Sequence, residues 1–568
     1  MTQTVAERVQ SARMVAGKRF AWLRLGVDLP MRVADLVGLG GPDRLIIAPQ
    51  DIRTADPTMA ADIYSGYFAF AGKMVNSHGR SPFTMPSPSP AWAANLAGFG
   101  WLRHMRAADT ALARANARVL VEDWINQNRR NAKPEDWDAP VATRRLLSWL
   151  SQSPLILEGA DADFYRLFMK SINRQAMALQ RRVNGDLVGD ARLFALIALA
   201  EFALCGEGLD AMQKRMSALL GEELGHQVLA DGGHIGRNPQ TIIDLLLDLL
   251  PLRQAYSARG VNAPPQLLNA IDRMMPMLRM FRLGDGSLAL FNGMGPTAPH
   301  DLATILAHDD ARAAPLINAP YSGYQRMEAG PNILILETGA PPPPDFSDRA
   351  HAGCLSFEFS AEGQRIIVNC GSPNESRTNM RDAARSTAAH STLTIADTSS
   401  CHFAKGAKAG RWLDGSIISG PGKVGLKRQT AEDCIAIEAS HNGYAREFGL
   451  IHTRSLFLST AGDGLEGEDS LAPAGPKAVN PGNVEYAVRF HLHPTLRTRM
   501  LDDEQSVEIL SPSGQIWLFQ SEGSYVTIEE SISFASPEGV RGAHQIVIHA
   551  RLEEQPSVNW TLYKSISE

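Results

Sequence analysis

The chain has 568 residues and a formal net charge of −6. That length exceeds one compact core and implies two or three domains, and the mild negative balance without a basic tract argues against a nucleic-acid binder. Cys205, Cys354, Cys370, Cys401 and Cys434 show no Cys-x-x-Cys spacing, which argues against a disulfide framework or a cluster metal site.

Met1 to Leu29 holds no uninterrupted apolar core. The short run from Ala12 to Gly17 is followed at once by Lys18, Arg19 and Arg24. No secretory signal and no membrane span are read, so the cytoplasm is the expected location. Residues 1–90 form an N-terminal arm and lead-in, in which Ile63 to Gly72 is a short strand or extended arm. The prolines between Ser81 and Pro90 mark a boundary. Residues 91–310 read as helices, at Ala107–Gln127, Ala142–Gln152, Asp161–Arg182, Leu187–Gly206, Asp210–Gln227, Gln240–Tyr256 and Pro265–Met280. Helices joined by short loops suit an incomplete (α/α) toroid or an irregular bundle. Residues 311–568 are rich in short strand candidates and turns, the pattern of an antiparallel β-sandwich-like domain. The fold class expected is multidomain α+β, toroid first and β-domain second.

The stretch from Arg349 to His390 carries the most information. Leu355, Phe357 and Phe359 alternate with Ser356, Glu358 and Ser360, as in a half-buried strand, and Gln364 to Cys370 follows a Glu362-Gly363 turn. His351, Ser356-Phe357, Asn369-Cys370-Gly371 and His390-Ser391-Thr392 together resemble the β-domain signature of the heparinase II/III family of polysaccharide lyases. The resemblance implies a toroid with antiparallel β-sheets, and a cleft between them. It also implies carbon–oxygen elimination on an acidic, uronate-containing polysaccharide. A periplasmic location is its alternative to the cytoplasm.

In the block Asp231-Gly232-Gly233-His234-Ile235-Gly236-Arg237, Arg237 can grip a carboxylate and His234 can titrate near neutrality. The competing reading is a loop in which His234 caps a helix and Arg237 pairs with Asp244 or Asp248. Tyr324 and Arg326 are further catalytic candidates near the domain junction, with a sheet aromatic as the other reading of Tyr324. Arg144 and Arg349 are candidate substrate-binding residues. The family's Tyr falls here at Thr241, and its Asn-His pair at Gly189-Asp190-Ala191, so neither carries over. The resemblance places a metal ligand at His351, with His390 and Asn369 beside it. Two imidazoles and an amide make a poor zinc site, so the pair is either a structural zinc site or a hydrogen-bonded pin between strand ends. Arg489, His491 and His493 share one face of a strand, as a ligand pair or as a hydrogen-bonded face.

The function expected is a polysaccharide lyase acting in the cleft. The alternative is a carbohydrate-binding or cell-envelope accessory protein that keeps the fold without the usual catalytic residues. A glycoside hydrolase is a third reading, for which the sequence names no carboxylate pair. The expected partner is an acidic polysaccharide or oligosaccharide, and the protein a monomer or homodimer.

Overall fold

The computed structural model describes residues 41–309, 312–373, 378–404, 415–476, 478, 480–536 and 538–565. Residues 1–40, and with them the signal-peptide reading, lie outside the described residues. Seven long helices form the body of the first half: α1 (Ala111–Arg130), α2 (Ala139–Ser151), α3 (Ala162–Val183), α4 (Gly189–Cys205), α5 (Asp210–Gln227), α6 (Pro239–Ala258) and α7 (Pro265–Met280). The stretch Ile63–Gly72 is not one strand. It ends the helix Thr58–Tyr64 and begins the hairpin Tyr67–Phe70 with Lys73–Asn76.

The helices follow from their patterns. Asp161 caps α3 by accepting from the amides of Asp163 and Phe164. Phe164, Phe168, Ile172, Ala176, Leu179 and Val183 then recur on one buried face. Each large side chain on that face contributes about 2 kcal/mol by leaving water. By contrast α4 beyond its first turn is apolar on every side except at Glu201, and every residue from Ala195 to Cys205 is buried. Helices α2, α3, α5 and α6 pack around it, so no side of that stretch meets solvent.

After the helix Pro299–Ala307 the chain turns to strands. One antiparallel sheet runs from the edge Asn318–Ala319 through Tyr324–Ala329, Asn332–Glu337, Phe357–Ala361 and Gln364–Val368. It continues through Glu485–Leu492 and Arg541–Arg551 to the edge Tyr525–Ser533, with Leu393–Ile395 paired beside Glu485–Leu492. A second sheet orders Val424–Thr430, Cys434–His441, Leu450–Ser459, Gly464–Pro473, Ser557–Lys564, Ile516–Gln520, Ser506–Leu510 and Arg497–Met500.

The first sheet is the middle layer of three. Along Asn332–Glu337, Ile333 and Ile335 pack into the helical core, while Leu334 and Leu336 pack into the core between the sheets. There Phe357 stacks on Trp560 from the second sheet, at 5.7 Å between centroids. This corrects the half-buried reading of Leu355–Ser360. Every residue of Phe357–Ala361 is buried, because the polar face meets the toroid. Glu358 accepts from the Leu290 amide at 3.1 Å and Ser360 from the Gly284 amide at 2.9 Å. Polar side chains alternate here because they satisfy backbone donors of the helical layer, not because they face water.

Candidate functional site

A cavity of about 500 Å³ opens where the toroid meets the loop that precedes the Phe357 strand. Helix α2 contributes Pro140, Thr143, Arg144 and Leu147, and α6 contributes Thr241, Asp244 and Asp248. Both sets have the spacing of one helix face. The start of α4 adds Gly189, Asp190, Ala191 and Phe194, the N-terminal segment adds Arg53, and the β-domain loop adds Asp345, Asp348 and Arg349. Thr241 and Gly189–Ala191, the positions aligned with the family's Tyr and Asn-His, are thus in the wall.

The charges in the wall are shared unevenly. Asp248 Oδ1 accepts from Arg53 at 2.9 Å and from both terminal nitrogens of Arg144 at 3.2 Å. Burial opposes ionisation of Asp248, yet Arg144 and Arg53 outweigh it and hold the carboxyl below its ordinary range. One carboxylate therefore serves two guanidiniums. Asp244, one turn earlier, is half-buried and takes a 2.9 Å hydrogen bond from Gln240. Burial raises its pKa, the charge of Asp248 adds to the rise, and Gln240, Arg53 and Arg349 offset only part of it. Beneath them Glu201 is buried, its carboxyl pushed up to about 8 by burial and then by the charge of Asp248. Arg349 is exposed and makes no direct ion pair among the described residues.

Of the residues singled out by sequence, Arg144 and Arg349 line this cavity, and His234, Arg237, Tyr324 and Arg326 do not. The Asp231-Gly-Gly block instead latches the toroid to the β-domain. Asp231 Oδ2 accepts from the amides of Tyr321 and Ser322 at 2.9 and 2.8 Å. Gly232 has φ +84°, and a Cβ there would stand 2.0 Å from the Arg273 carbonyl, so only glycine fits. Arg237 does project from this loop toward the β-domain, but all its donors are engaged there. It donates to the carbonyls of Ser322, Gly339, Ala340 and Gly323 at 2.6–3.2 Å. Its ion-pair partner is Glu337 at 3.1 Å, not Asp244 or Asp248.

His234 is 2 % exposed. Its Nδ1 accepts from the Gly236 amide at 3.1 Å, so its Nε2–H points at Gln227 Oε1, 3.0 Å away. Burial lowers its pKa, and it approaches the cavity only through Asp190, 3.6 Å from Nε2. Tyr324 is fully buried and donates to the Arg237 carbonyl at 2.7 Å. Arg326 donates to the carbonyls of Met280 and Arg282. Arg237, Tyr324 and Arg326 bind the two layers together, and His234 braces the toroid loop from within.

His351 and His390 meet as expected, with Nδ1 to Nε2 at 3.0 Å. His390 Nδ1 donates to the Ser386 carbonyl at 2.7 Å, which leaves its Nε2 as the acceptor of the pair. Burial lowers the pKa of both, His390 to about 4. The amide oxygen of Asn369 accepts from the Ser391 amide instead of facing the imidazoles. Among the described residues no group of three His, Cys, Asp or Glu side chains converges to hold a metal. Two neutral imidazoles alone do not fit the donor set of a zinc site. The pair joins the loop before the Phe357 strand to the one before Leu393–Ile395. His491 is also hydrogen-bonded, to the Ala388 carbonyl and to Ser531. It does not act with His493, which turns to Thr495.

The cavity carboxylates went unread in the sequence as site residues. Their signal was the stripe Thr241, Asp244, Asp248 inside the apolar run of α6, where a charge has to be paired or functional.

The chain matches the family model described as heparinase II/III-like, C-terminal, over residues 311–561. FtsZ-localized protein C of Caulobacter vibrioides is 34% identical over 545 residues, covering 93% of this chain and 92% of that one. A crystal structure of heparinase III superposes with a TM-score of 0.66 at 14% identity, over 88% of this chain and 80% of that one. Heparan sulfate lyase HepC from Pedobacter heparinus gives 0.59 at 15% identity, over 91% and 84%. At those identities the two lyase structures speak for the fold alone.

Proposed function

From a chain that belongs to the heparinase II/III-like family, we propose a glycan-binding protein that holds an acidic oligosaccharide in the cleft between toroid and β-domain. The observation that carries this is the pair Arg144 and Arg349 in the wall of the cavity. Asp248 divides one charge between Arg53 and Arg144, and Arg349 has no ion-pair partner among the described residues. A ligand carboxylate or sulfate would complete both guanidiniums with charge-assisted bonds. The relative's name supports a setting: this protein, too, localises with FtsZ, and the cytoplasmic placement expected from the N-terminal sequence belongs to the same proposal. Titrating the protein with glucuronate and galacturonate oligomers, beside their methyl esters, tests the cleft. Saturable binding of the acids that Arg349→Ala weakens at least tenfold supports it, and equal binding of acid and ester defeats it. A fluorescent fusion imaged beside tagged FtsZ tests the setting.

Elimination on the same polymer is a second reading, supported by family membership and by the Arg pair, which would neutralise the uronate carboxylate and acidify the proton next to it. Among the described residues the lining includes no His, Tyr or Lys, so a carboxylate of this lining would act as base. Growth of the near-ultraviolet absorbance of an unsaturated uronate during incubation with those oligomers is its test. A flat trace with binding intact leaves the binding protein as the account.

A further inference from the structure

We propose that Ser531 and His491 are the nucleophile and the base of an ester-hydrolysing site in the β-domain, apart from the cleft. A second cavity, of about 520 Å³, opens beside the edge strand Tyr525–Ser533 and shares no lining residue with the first. Its walls are largely apolar, with Ala383, Ala388 and Ala389 from the segment before His390, and Ile532, Phe534 and Val540 from the turn into Arg541–Arg551. Ser531, His491 and Cys370 line it too. Apolar walls with a few converging polar groups are the make-up of a small-molecule site. Strand pairing brings the polar groups together. Glu485–Leu492 and Tyr525–Ser533 flank Arg541–Arg551, which sets Gln545 opposite His491 and Ala543 opposite Ser531. The small side chain of Ala543 leaves the imidazole room to reach across, and Ser531 Oγ is 2.8 Å from His491 Nδ1. His491 Nε2 is 2.9 Å from the Ala388 carbonyl, which can only accept, so the ring proton is on Nε2 and Ser531 donates to Nδ1. Burial, and then the neighbouring His390, hold the His491 pKa down to about 3, so the ring is neutral and can take a proton. A hydroxyl, a base and a third group that orients the base are the parts of covalent acyl transfer. Cys370 Sγ also faces Nδ1, at 3.5 Å, but it is buried and burial pushes its thiol up to about 12, whereas Ser531 is half-buried. Arg541 is a cation of the lining, and its ion pair with Glu538 is exposed. Such a pair is weak, so the guanidinium is available to the oxygen on which negative charge develops.

In the step itself, Ser531 Oγ bonds to the carbonyl carbon of the ester while its proton passes to His491 Nδ1. The bond from that carbon to the alkoxy oxygen breaks, its electron pair staying on the oxygen, which takes the proton from Nδ1 and leaves as an alcohol. A water oxygen then bonds to the acyl carbon and gives a proton to Nδ1. The bond from Oγ to the acyl carbon breaks, Oγ regains that proton, and a carboxylic acid departs, so the net change is ester plus water to alcohol plus acid.

The test uses the full chain with nitrophenyl butyrate and with an alkyl fluorophosphonate, whose phosphorus bonds to an activated serine oxygen as fluoride leaves. The wild type is expected to hydrolyse the ester. Ser531→Ala, a small change on an edge strand, is expected to lose about 100-fold in kcat/KM. Mass spectrometry of the labelled chain should place the phosphonate on Ser531. His491→Gln puts an amide that cannot take a proton in place of the base, so it should lose as much activity and take up no label. Where that variant fails to fold, as circular dichroism will show, Ser531→Ala and the site of the label decide. Full activity in Ser531→Ala, a label on Cys370 or elsewhere, or a wild type that neither hydrolyses nor labels overturns the assignment. None of these outcomes depends on the oligosaccharide titration of the cleft, so the two readings stand or fall separately.

Discussion

Arg144 and Arg145 are neighbours on α2 with separate tasks. Arg144 faces the cavity, whereas Arg145 is fully buried, donates to Gln175 and to the carbonyls of Ala97 and Asp136, and lies 4.0 Å from the Trp124 ring. Arg237 resembles Arg145 in this respect. A lysine there keeps the charge but cannot reach carbonyls in several directions, and it leaves Glu337 poorly paired. Arg237→Lys is therefore expected to cost roughly 3 kcal/mol of stability, read as a lower denaturant midpoint, with ligand binding retained in the folded fraction. Glu201 sets a pH dependence. Burial pushes its pKa up to about 8 in the fold, from an ordinary 4.5. Between those values the folded chain keeps a proton that the unfolded chain has lost, so stability falls as pH rises through the window, by at most about 1.4 kcal/mol per unit. Glu201→Gln removes that loss. Its melting temperature is expected near that of the wild type at about pH 5 and above it at about pH 9.

Helix α6 carries the cavity wall on one face and the toroid core on the others. Its Asp248 ties the helix to α2 through Arg144 and to the N-terminal segment through Arg53. Asp248→Asn leaves two guanidiniums without their shared counter-charge. The cost expected is roughly 3 kcal/mol, the low end because Arg144 is 32% exposed and solvent takes part of the load. The stabilisation from Asp248 is present above the unfolded carboxyl pKa and disappears as pH falls through the lower folded value. Wild type and variant should therefore converge in acid, which urea titrations at neutral and acidic pH will show. Helices of this kind were legible in the sequence. Asp210–Gln227 and Pro265–Met280 end where their patterns and breakers place them. The strand Gly464–Pro473 was not, because its glycines and acids are poor strand formers. Pairing on both sides and burial of Asp469 override that propensity. Asp469 takes a bidentate pair from Arg454 and further bonds from His452 and Trp560, partners from other strands. The cleft arginines were legible as charges near predicted boundaries. The cleft carboxylates were not, because the cavity is assembled from five separate segments.

The three layers share one structural problem, which is that the middle sheet's strands Asn332–Glu337 and Phe357–Ala361, pressed between toroid and second sheet, have no solvent face. On its toroid side it presents Tyr324, Ile335 and Glu358 to helices and to the loop around Leu290, and on its other side Phe357 and Phe359 to the second sheet. Removing the toroid would uncover that face, together with the unpaired carboxylate Glu337, which Arg237 serves from the toroid loop. Two autonomous domains joined by a linker would melt separately. Here the core of each half is completed by the other, so one cooperative transition is expected. The tryptophans allow a direct check, since Trp92, Trp124 and Trp149 are buried in the helical layer and Trp517 and Trp560 between the sheets. In each version keeping fluorescence from only one set, the fluorescence midpoint should coincide with that version's own loss of helical circular dichroism. Arg237→Lys should shift all three together, because its guanidinium holds toroid and sheet to each other. Midpoints that separate, with the β-domain signal surviving the loss of helix, would show that the layers fold independently.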